Sequence, residues 1–426
     1  MARAKRSFLD YIGVTLAGAY AQKDKLRSYM EFSEPEAGMF TAIGCNRKVG
    51  LKEAVFLNGL NGHALDFDDG TNAGIIHLGS PILSVLLPLA QKYHCSFDKF
   101  IKSAVLGYET AFTMAVSIQP VHKSLGYHAT GTCGVLGVAV AVSYLLDFSD
   151  EERKEAFAAA CVSATGMLKV LDDGSELKPY NVAKSALMGL IATQMAKAGF
   201  KGHPDSLSGE RGFLKMMTGQ DNTELKEPLL NGTYAIEKTY TKPYAACRYC
   251  HPSIEAAISL RNNENVSAEN VESIDIKTYY WAVNKHDHTD IPSSASAKMS
   301  IPYSVAVGII YGKAGFPEYG TDVMENPKVI KLTEKVKVVS DDELTELFPG
   351  LTTAIVNIKT LDGTEHICRV DHPKGEPENP MTEEEFSSRF KELAAYGQVK
   401  PDDIKSIYDF VAHANDDWDA LLGLLR

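Results

Sequence analysis

The sequence predicts a mainly α protein with an α+β insert, and three observations carry this. Up to about residue 240, apolar residues recur at three- and four-residue spacing, the period of helices with one buried face. After about residue 265 the texture changes to short alternating runs rich in β-branched residues, as in half-buried strands. From Thr382 to the last residue, Arg426, the helical spacing returns. A chain of 426 residues exceeds what one compact core usually holds. The expected division is a helical domain from residues 1–241 and 383–426 and an α+β domain from 242–382.

The elements follow in order. Met1-Ala-Arg-Ala-Lys-Arg-Ser and the apolar stretch Phe8–Ala21 imitate a secretory signal. Asp10 inside that stretch argues against one, and Phe8, Ile12 and Leu16 fall at i, i+4 and i+8, as in a packed helix. Residues 51–62, 80–94 and 98–118 read as amphipathic helices. Ser149-Asp-Glu-Glu152 is a capping box that opens a helix through Cys161. Residues 133–147 (CGVLGVAVAVSYLLD) are apolar almost all round, which predicts a helix buried on every side. Its small residues let neighbouring helices approach closely. Residues 181–198 and 209–217 read as further helices. No apolar run reaches the ~18 residues that a membrane span needs.

Val271–Tyr280 and Lys335–Val339 alternate as strands do. Thr353–Thr360, then Leu361-Asp362-Gly363, then Thr364–Val370 reads as a β-hairpin with Asp362-Gly363 in its turn. Residues 371–380 (DHPKGEPENP) form a Pro/Gly loop, Thr382-Glu-Glu-Glu385 caps a helix, and residues 402–426 are helical again.

Apolar residues make up 45% and charged residues 23%, an ordinary globular composition. A formal net charge of −12 argues against non-specific nucleic-acid binding and against anionic membranes. A locally cationic pocket for an anionic substrate stays open. Seven cysteines, odd in number and sparse, read as reduced thiols of a cytoplasmic protein.

Five segments carry chemistry-bearing residues. The first is His63-Ala-Leu-Asp66-Phe-Asp68-Asp69-Gly70, followed by His77-Leu-Gly-Ser-Pro81. Three carboxylates within four residues are costly unless a cation faces them. Counted from Asp66, Gly70 and His77 stand at the wrong places for a calcium loop. The segment is either a site or an acidic helix end. The second, Gly126–Gly137, sets His128 and two threonines before the all-apolar helix. A helix start suits an anion, and the alternative is an N-cap with packing glycines. The glycine spacing is not a dinucleotide fingerprint. The third, Asp172–Asn181, places Lys178 beside a proline, either rigidly for function or as a surface lysine.

The fourth is Lys242-Pro-Tyr-Ala-Ala-Cys247-Arg248-Tyr-Cys250-His251-Pro252. Read literally, Cys-x-x-Cys-His is a haem attachment pattern, but it needs an export signal. A structural zinc would want a second Cys/His pair. What remains is an anion cradle of Lys242, Arg248 and His251 beside Cys247. The fifth, Lys298–Ala306, puts Tyr303 at the head of an apolar helix, as an acid or as core packing. Together the segments collect cations and two groups of acid or base type, Asp66 and Tyr303. They show no metal set, no phosphate loop and no Ser-His-Asp pattern.

The blocks HALDFDDG (63–70), HLGSP (77–81), GYHATGTCGVLG (126–137), LKPYNVAKSA (177–186), KPYAACRYCHPSIEAA (242–257), AKMSIPYSVA (297–306) and PKGEPENPMT (373–382), in this order, resemble the MmgE/PrpD family. The family usually carries a further helix before the Phe8 block. The resemblance implies an all-helical large domain formed by both chain ends, a smaller α+β lid domain, and a homodimer. It implies a pocket between the domains, without metal or organic cofactor. Members include 2-methylcitrate dehydratase, cis-aconitate decarboxylase and iminodisuccinate epimerase, which share a carbanion or enolate next to a carboxylate.

Carried over by motif, the catalytic residues are Asp66, His128, Lys178, Lys242 and Tyr303, and the substrate-binding residues are His77, Cys247, Arg248 and His251. The roles expected are these. Lys178, Lys242 and Arg248 bind carboxylates, His128 or Tyr303 moves the proton, Asp66 orients a histidine, and His77 lines the pocket mouth. A lysine depressed by neighbouring cations is the alternative base. As matched, the decarboxylase branch carries Thr near Gly70 and His at the place of Cys247. The expected activity is therefore a lyase of the 2-methylcitrate dehydratase kind, serving propionate catabolism. The alternatives are an epimerase or isomerase, a decarboxylase, and an inactive dimeric carboxylate-binding member.

Overall fold

A computed structural model describes residues 1–171, 175–226 and 232–426. The chain packs as two units. Unit 1 is Met1–Lys169, Leu177–Thr241 and Glu383–Arg426, and unit 2 is Val170–Glu176 and Lys242–Thr382. The protein is mainly α-helical with a small α+β part, as the sequence predicts.

Unit 1 opens with α1 (Ala2–Ala21) and α2 (Lys23–Ser33), then a short antiparallel ribbon, β1 (Ala37–Thr41) with β2 (Lys48–Val49). The ribbon was not anticipated, because a two-residue partner shows no alternation in sequence. There follow α3 (Leu51–His63), α4 (Gly79–Tyr93), α5 (Phe97–Ile118), α6 (Val121–Ser124), α7 (Ala129–Leu145), α8 (Asp150–Ser163), α9 (Lys178–Lys197) and α10 (Phe213–Thr218). The capping box opens α8 with both of its bonds, Glu152 N–H to Ser149 Oγ at 3.2 Å and Ser149 N–H to Glu152 Oε2 at 2.8 Å.

Helix α7 is the centre of this unit. All of its residues except Val140 and Tyr144 are buried, and it packs against α4, α5, α8 and α9. Close approach to α5 depends on two glycines. A Cβ on Gly137 would stand 2.6 Å from the Gly107 carbonyl oxygen. The helix begins four residues before the apolar run, with His128 as its N-cap. His122 braces this start. It is fully buried, its Nε2 lies 3.1 Å from Thr132 Oγ1, and its ring stacks on Tyr127. Burial pushes its pKa down to about 4.

Unit 2 contains α11 (His251–Asn263), β3 (Val271–Thr278), α12 (Tyr280–Val283), α13 (Ser294–Met299), α14 (Ile301–Tyr311), α15 (Thr321–Met324), α16 (Pro327–Thr333), β4 (Val336–Ser340), α17 (Asp342–Leu347), β5 (Ala354–Thr360) and β6 (Glu365–Val370). The sheet order is β4-β3-β5-β6. The β3–β4 pair is parallel and the others antiparallel. Ile274, Ile276, Val356 and Ile358 point into the core, and α11 packs on β5 and β6. The hairpin turns where expected. Gly363 takes φ +85°, and Asp362 accepts from Thr364 N–H at 3.0 Å.

The chain then returns to unit 1 as α18 (Glu383–Tyr396), α19 (Pro401–Ala412) and α20 (Trp418–Leu424). Trp418 meets Phe100 at 4.8 Å between ring centroids and stacks on Phe97, while Phe8 of α1 lies 4.8 Å from Phe100. Both ends of the chain thus share one aromatic core. Among the described residues, no helix is long and apolar enough to cross a membrane.

Gly137→Ala is expected to lower the denaturation midpoint, at a cost of about 1–3 kcal/mol, because the clash is with backbone that a side chain cannot relieve. An unchanged midpoint would show that Gly137 does not set the α5–α7 spacing. A second expectation concerns His122. Its folded pKa lies below its unfolded one, so its stabilising contribution is present above the unfolded pKa and is lost as pH falls toward the folded one. Between roughly pH 7 and 5 this amounts to about 2 kcal/mol. In urea titrations His122→Gln should therefore lose less stability over that interval than the parent; parallel curves would refute the assignment.

Candidate functional site

Helix α3 ends at His63, and a tight turn through Asp66–Gly70 leads back to His77 and the start of α4. Asp66, Asp68 and Asp69 are all buried there. Each side chain is met differently. Asp69 accepts the Gly79 N–H at 2.8 Å and the Tyr108 hydroxyl at 2.7 Å. Asp68 accepts the Ser80 hydroxyl at 2.8 Å, and its other oxygen lies 2.8 Å from His63 Nδ1. Asp66 pairs with Lys178, its Oδ1 standing 2.8 Å from Nζ.

Asp66 has φ +52°, a left-handed conformation in a non-glycine residue. Its neighbours account for it. The Asp66 N–H bonds to the His63 carbonyl at 3.0 Å. Arg389 of α18 donates to the Phe67 carbonyl at 2.8 Å, and the Gly70 carbonyl accepts the Tyr240 N–H at 2.9 Å.

Two histidines flank Asp66 Oδ1, His77 Nε2 at 3.7 Å and His63 Nε2 at 4.0 Å. His77 Nδ1 is 3.0 Å from the Asp69 carbonyl oxygen, which can only accept, so Nδ1 carries the proton. His63 Nδ1 donates likewise to Asp68. In both rings Nε2 is therefore the nitrogen turned to Asp66. The His77 N–H donates to Thr130 Oγ1 of α7 at 3.0 Å. That bond ties the start of α4 to the start of α7, where His128 stands.

Charge and burial set the protonation states. Burial alone would raise Asp68, but His63 and His77 hold it well below the usual carboxylate range. Burial raises Asp69 to about 6 against its two hydrogen bonds. Burial, partly offset by Asp68, lowers His63 to about 4. His128 is pushed well below the ordinary histidine value by burial and then by Lys178, His63 and His77. It is a neutral imidazole, and its Nδ1 has no hydrogen-bond partner among the described residues. The cluster thus holds an ion pair beside the neutral imidazoles of His63 and His128, an arrangement able to accept and donate protons beside a bound anion.

Of the residues expected from sequence, Asp66, His77, His128 and Lys178 come together here in unit 1. Lys242, Cys247, Arg248, His251 and Tyr303 belong to unit 2. There Lys242 is 1% exposed, and the Cys247 N–H donates to the Lys298 carbonyl at 2.8 Å. Arg248 donates to Glu376 at 2.6 Å, to His251 Nδ1 at 2.7 Å, and to the Pro373 and Lys374 carbonyls. This ties α11 to the 371–380 loop. His251 Nε2 lies 3.2 Å from the Ala246 carbonyl. The Tyr303 hydroxyl donates to the Glu318 carbonyl at 2.8 Å, and burial raises its pKa. Asp172, Asp173 and Gly174 of the third segment lie outside the described residues.

Sequence reasoning passed over His63, Asp68 and Asp69 as candidates, although all three stand in the block it quoted. The available signal was a histidine directly ahead of three closely spaced acids. His63, Asp66, Asp68 and His77 bring one donor atom each within 4.8 Å of one another, and these are residue types that hold divalent metals. Such an ion would have to share Asp66 with Lys178.

Two family models match the chain. The MmgE/PrpD N-terminal domain matches residues 1–226 and the MmgE/PrpD C-terminal domain residues 244–410. Similar proteins include the cis-aconitate decarboxylase of Aspergillus terreus, 26% identical over 435 residues that span 96% of this chain and 88% of that protein. The cis-aconitate decarboxylase of Mus musculus is 24% identical over 445 residues, 100% of this chain and 88% of that one. The 2-methylcitrate dehydratase of Escherichia coli K12 is 24% identical over 262 residues, 56% of this chain and 52% of that one. With both domain models matched over most of its length, the chain belongs to the MmgE/PrpD family.

Proposed function

We propose that the protein is a lyase that acts on a small tricarboxylate by forming a carbanion next to a carboxylate, with elimination of water as its reaction. The observation that carries this reading is the pair of half-buried Lys178 with buried Asp66 beside neutral His128. Elimination needs a base and an acid at once. His128 takes the proton from the carbon next to the carboxylate. The electron pair of that C–H bond becomes the new C=C bond as the C–O bond breaks, and the departing hydroxide takes a proton from Lys178 and leaves as water. Asp66 orients Lys178 and His77, and His77 contacts the substrate. Lys242 and Cys247 stay candidates for substrate contact. We assign Arg248 and His251 to holding the 371–380 loop, and Tyr303 to packing, because their polar atoms already have partners.

Decarboxylation is the second reading, favoured by the decarboxylase relatives that align along nearly the whole chain. There a C–C bond breaks, CO2 leaves, and the electron pair left on carbon takes up a proton. Only the donor half of the site is then needed.

Proton NMR in D2O with 2-methylcitrate, cis-aconitate and a chiral amino-dicarboxylate separates the readings. Loss of water from 2-methylcitrate is expected. Release of CO2 from cis-aconitate would establish the second reading, and deuterium wash-in without net change would establish an epimerase. No change with any of the three would refute a lyase of this substrate class. Lys178→Met and His128→Asn should each lower kcat by roughly 10²–10⁴-fold while the protein stays folded; near-normal rates in both would misplace the site. Turnover that falls on chelation and returns with a divalent cation would assign the His63–Asp66–Asp68–His77 donors to a metal and overturn the role given to Lys178.

A further inference from the structure

Arg389 lies on the returning helix α18, more than three hundred positions from the Asp66 turn. Its guanidinium is buried, pairs with Asp10 of α1, and donates to the Phe67 carbonyl at 2.8 Å. It also lies over the Phe67 ring, 4.2 Å from the centroid. Asp68 and Asp69 are anchored by α3, α4 and α5. Phe67, the residue that follows left-handed Asp66, has its carbonyl held by α18.

We propose that Arg389 is a positioning residue that keeps Asp66 in its left-handed conformation through the Phe67 carbonyl, with Asp10 as the counter-charge that keeps Arg389 in place. The proposal rests on the reading of the Asp66–Lys178 cluster as the reactive site. Left-handed backbone in a β- or γ-substituted residue is strained and persists only where its surroundings over-determine it. The charge-assisted bond from Arg389 is such a determinant. Without it the buried Phe67 carbonyl loses its donor, the 67–68 peptide rotates to find another, and the tight turn passes the change back through Phe67, so that Asp66 relaxes to negative φ. Its carboxylate then swings away from Lys178 and His77.

The competing explanation is that Arg389 serves only to neutralise Asp10. Arg389→Met alone does not distinguish the two, because it leaves Asp10 buried without its cation and is expected to unfold the protein. The double variant D10N/R389M removes both charges, whereas D10N alone leaves an amide oxygen that still accepts from Arg389 and so holds it at the Phe67 carbonyl. We expect D10N to retain kcat near the parent value. D10N/R389M should recover the parent's melting temperature to within a few degrees, yet keep kcat lowered by roughly 10²-fold, as a small misplacement of a reacting group does. Recovery of kcat along with stability would overturn the proposal.

A second readout needs no substrate. In a crystal structure of D10N/R389M, Asp66 should leave the left-handed region and its separation from Lys178 Nζ should open beyond the 2.8 Å seen here. An Asp66 φ still near +52° with the ion pair intact would overturn the proposal whether or not the lyase reading holds. If the double variant fails to fold, the same two measurements on D10N/R389Q, which keeps a neutral donor for the Phe67 carbonyl, decide the question. Asp66 geometry and rate that follow the bond to the Phe67 carbonyl there, kept where it forms and lost where it does not, support the proposal, and geometry or rate that does not follow it refutes it.

Discussion

Three aspartates buried within four residues of one turn cannot all stay charged without help, and the construction of unit 1 follows from that constraint. Each carboxylate is relieved in its own way. Asp66 has a cation, Lys178. Asp68 has two imidazoles and a hydroxyl, and remains ionised. Asp69 is held by the Tyr108 hydroxyl and the Gly79 N–H, and burial raises its pKa to about 6 against them. The partners come from α3, α4, α5 and α9. The helices cannot shift against one another without leaving a buried charge unmet, which is far costlier than losing an apolar contact.

The same constraint sets the state of the histidines. Asp68 and the Asp69 carbonyl both draw Nδ1 protons, so His63 and His77 turn their other nitrogens to Asp66. Lys178 adds positive charge close by, which together with burial keeps His128 neutral. A neutral imidazole next to a paired ammonium is what a proton-abstracting site needs, since a protonated His128 could not accept. The network that stabilises the carboxylates thus also sets which groups can accept a proton.

Much of this was legible in the sequence, and the part that was not has physical reasons. Asp66, His77, His128 and Lys178 entered as candidates through the family resemblance, since each segment read by itself stood equally as a cap, an acidic helix end or a surface lysine. The strands and the Asp362-Gly363 turn follow from alternation and turn chemistry. Helix starts were placed late, at 133 and 181 instead of Ala129 and Lys178, because cap and first-turn residues do not carry the apolar period. Arg248 read as part of an anion cradle, yet its partner Glu376 lies far along the chain. Arg389 was not legible at all. Periodicity marks α18 as amphipathic, but nothing local says that its one arginine faces Asp10 and the Phe67 carbonyl.

Long-range pairing of this kind explains why the chain, having left unit 1 for about 140 residues, comes back to it. Without α18 and α20, Asp10 would lose its paired cation Arg389 and the Phe8–Phe97–Phe100 cluster would lack Trp418. Neither defect could be repaired by the first 241 residues, because α1 and α5 direct those side chains to the place the returning helices occupy. The last segment therefore completes two different things in unit 1, an apolar core and a charge balance. The charge balance reaches the turn that carries Asp66. A fold that needs its C-terminal helices for stability has by the same contact made the geometry of its candidate site depend on them.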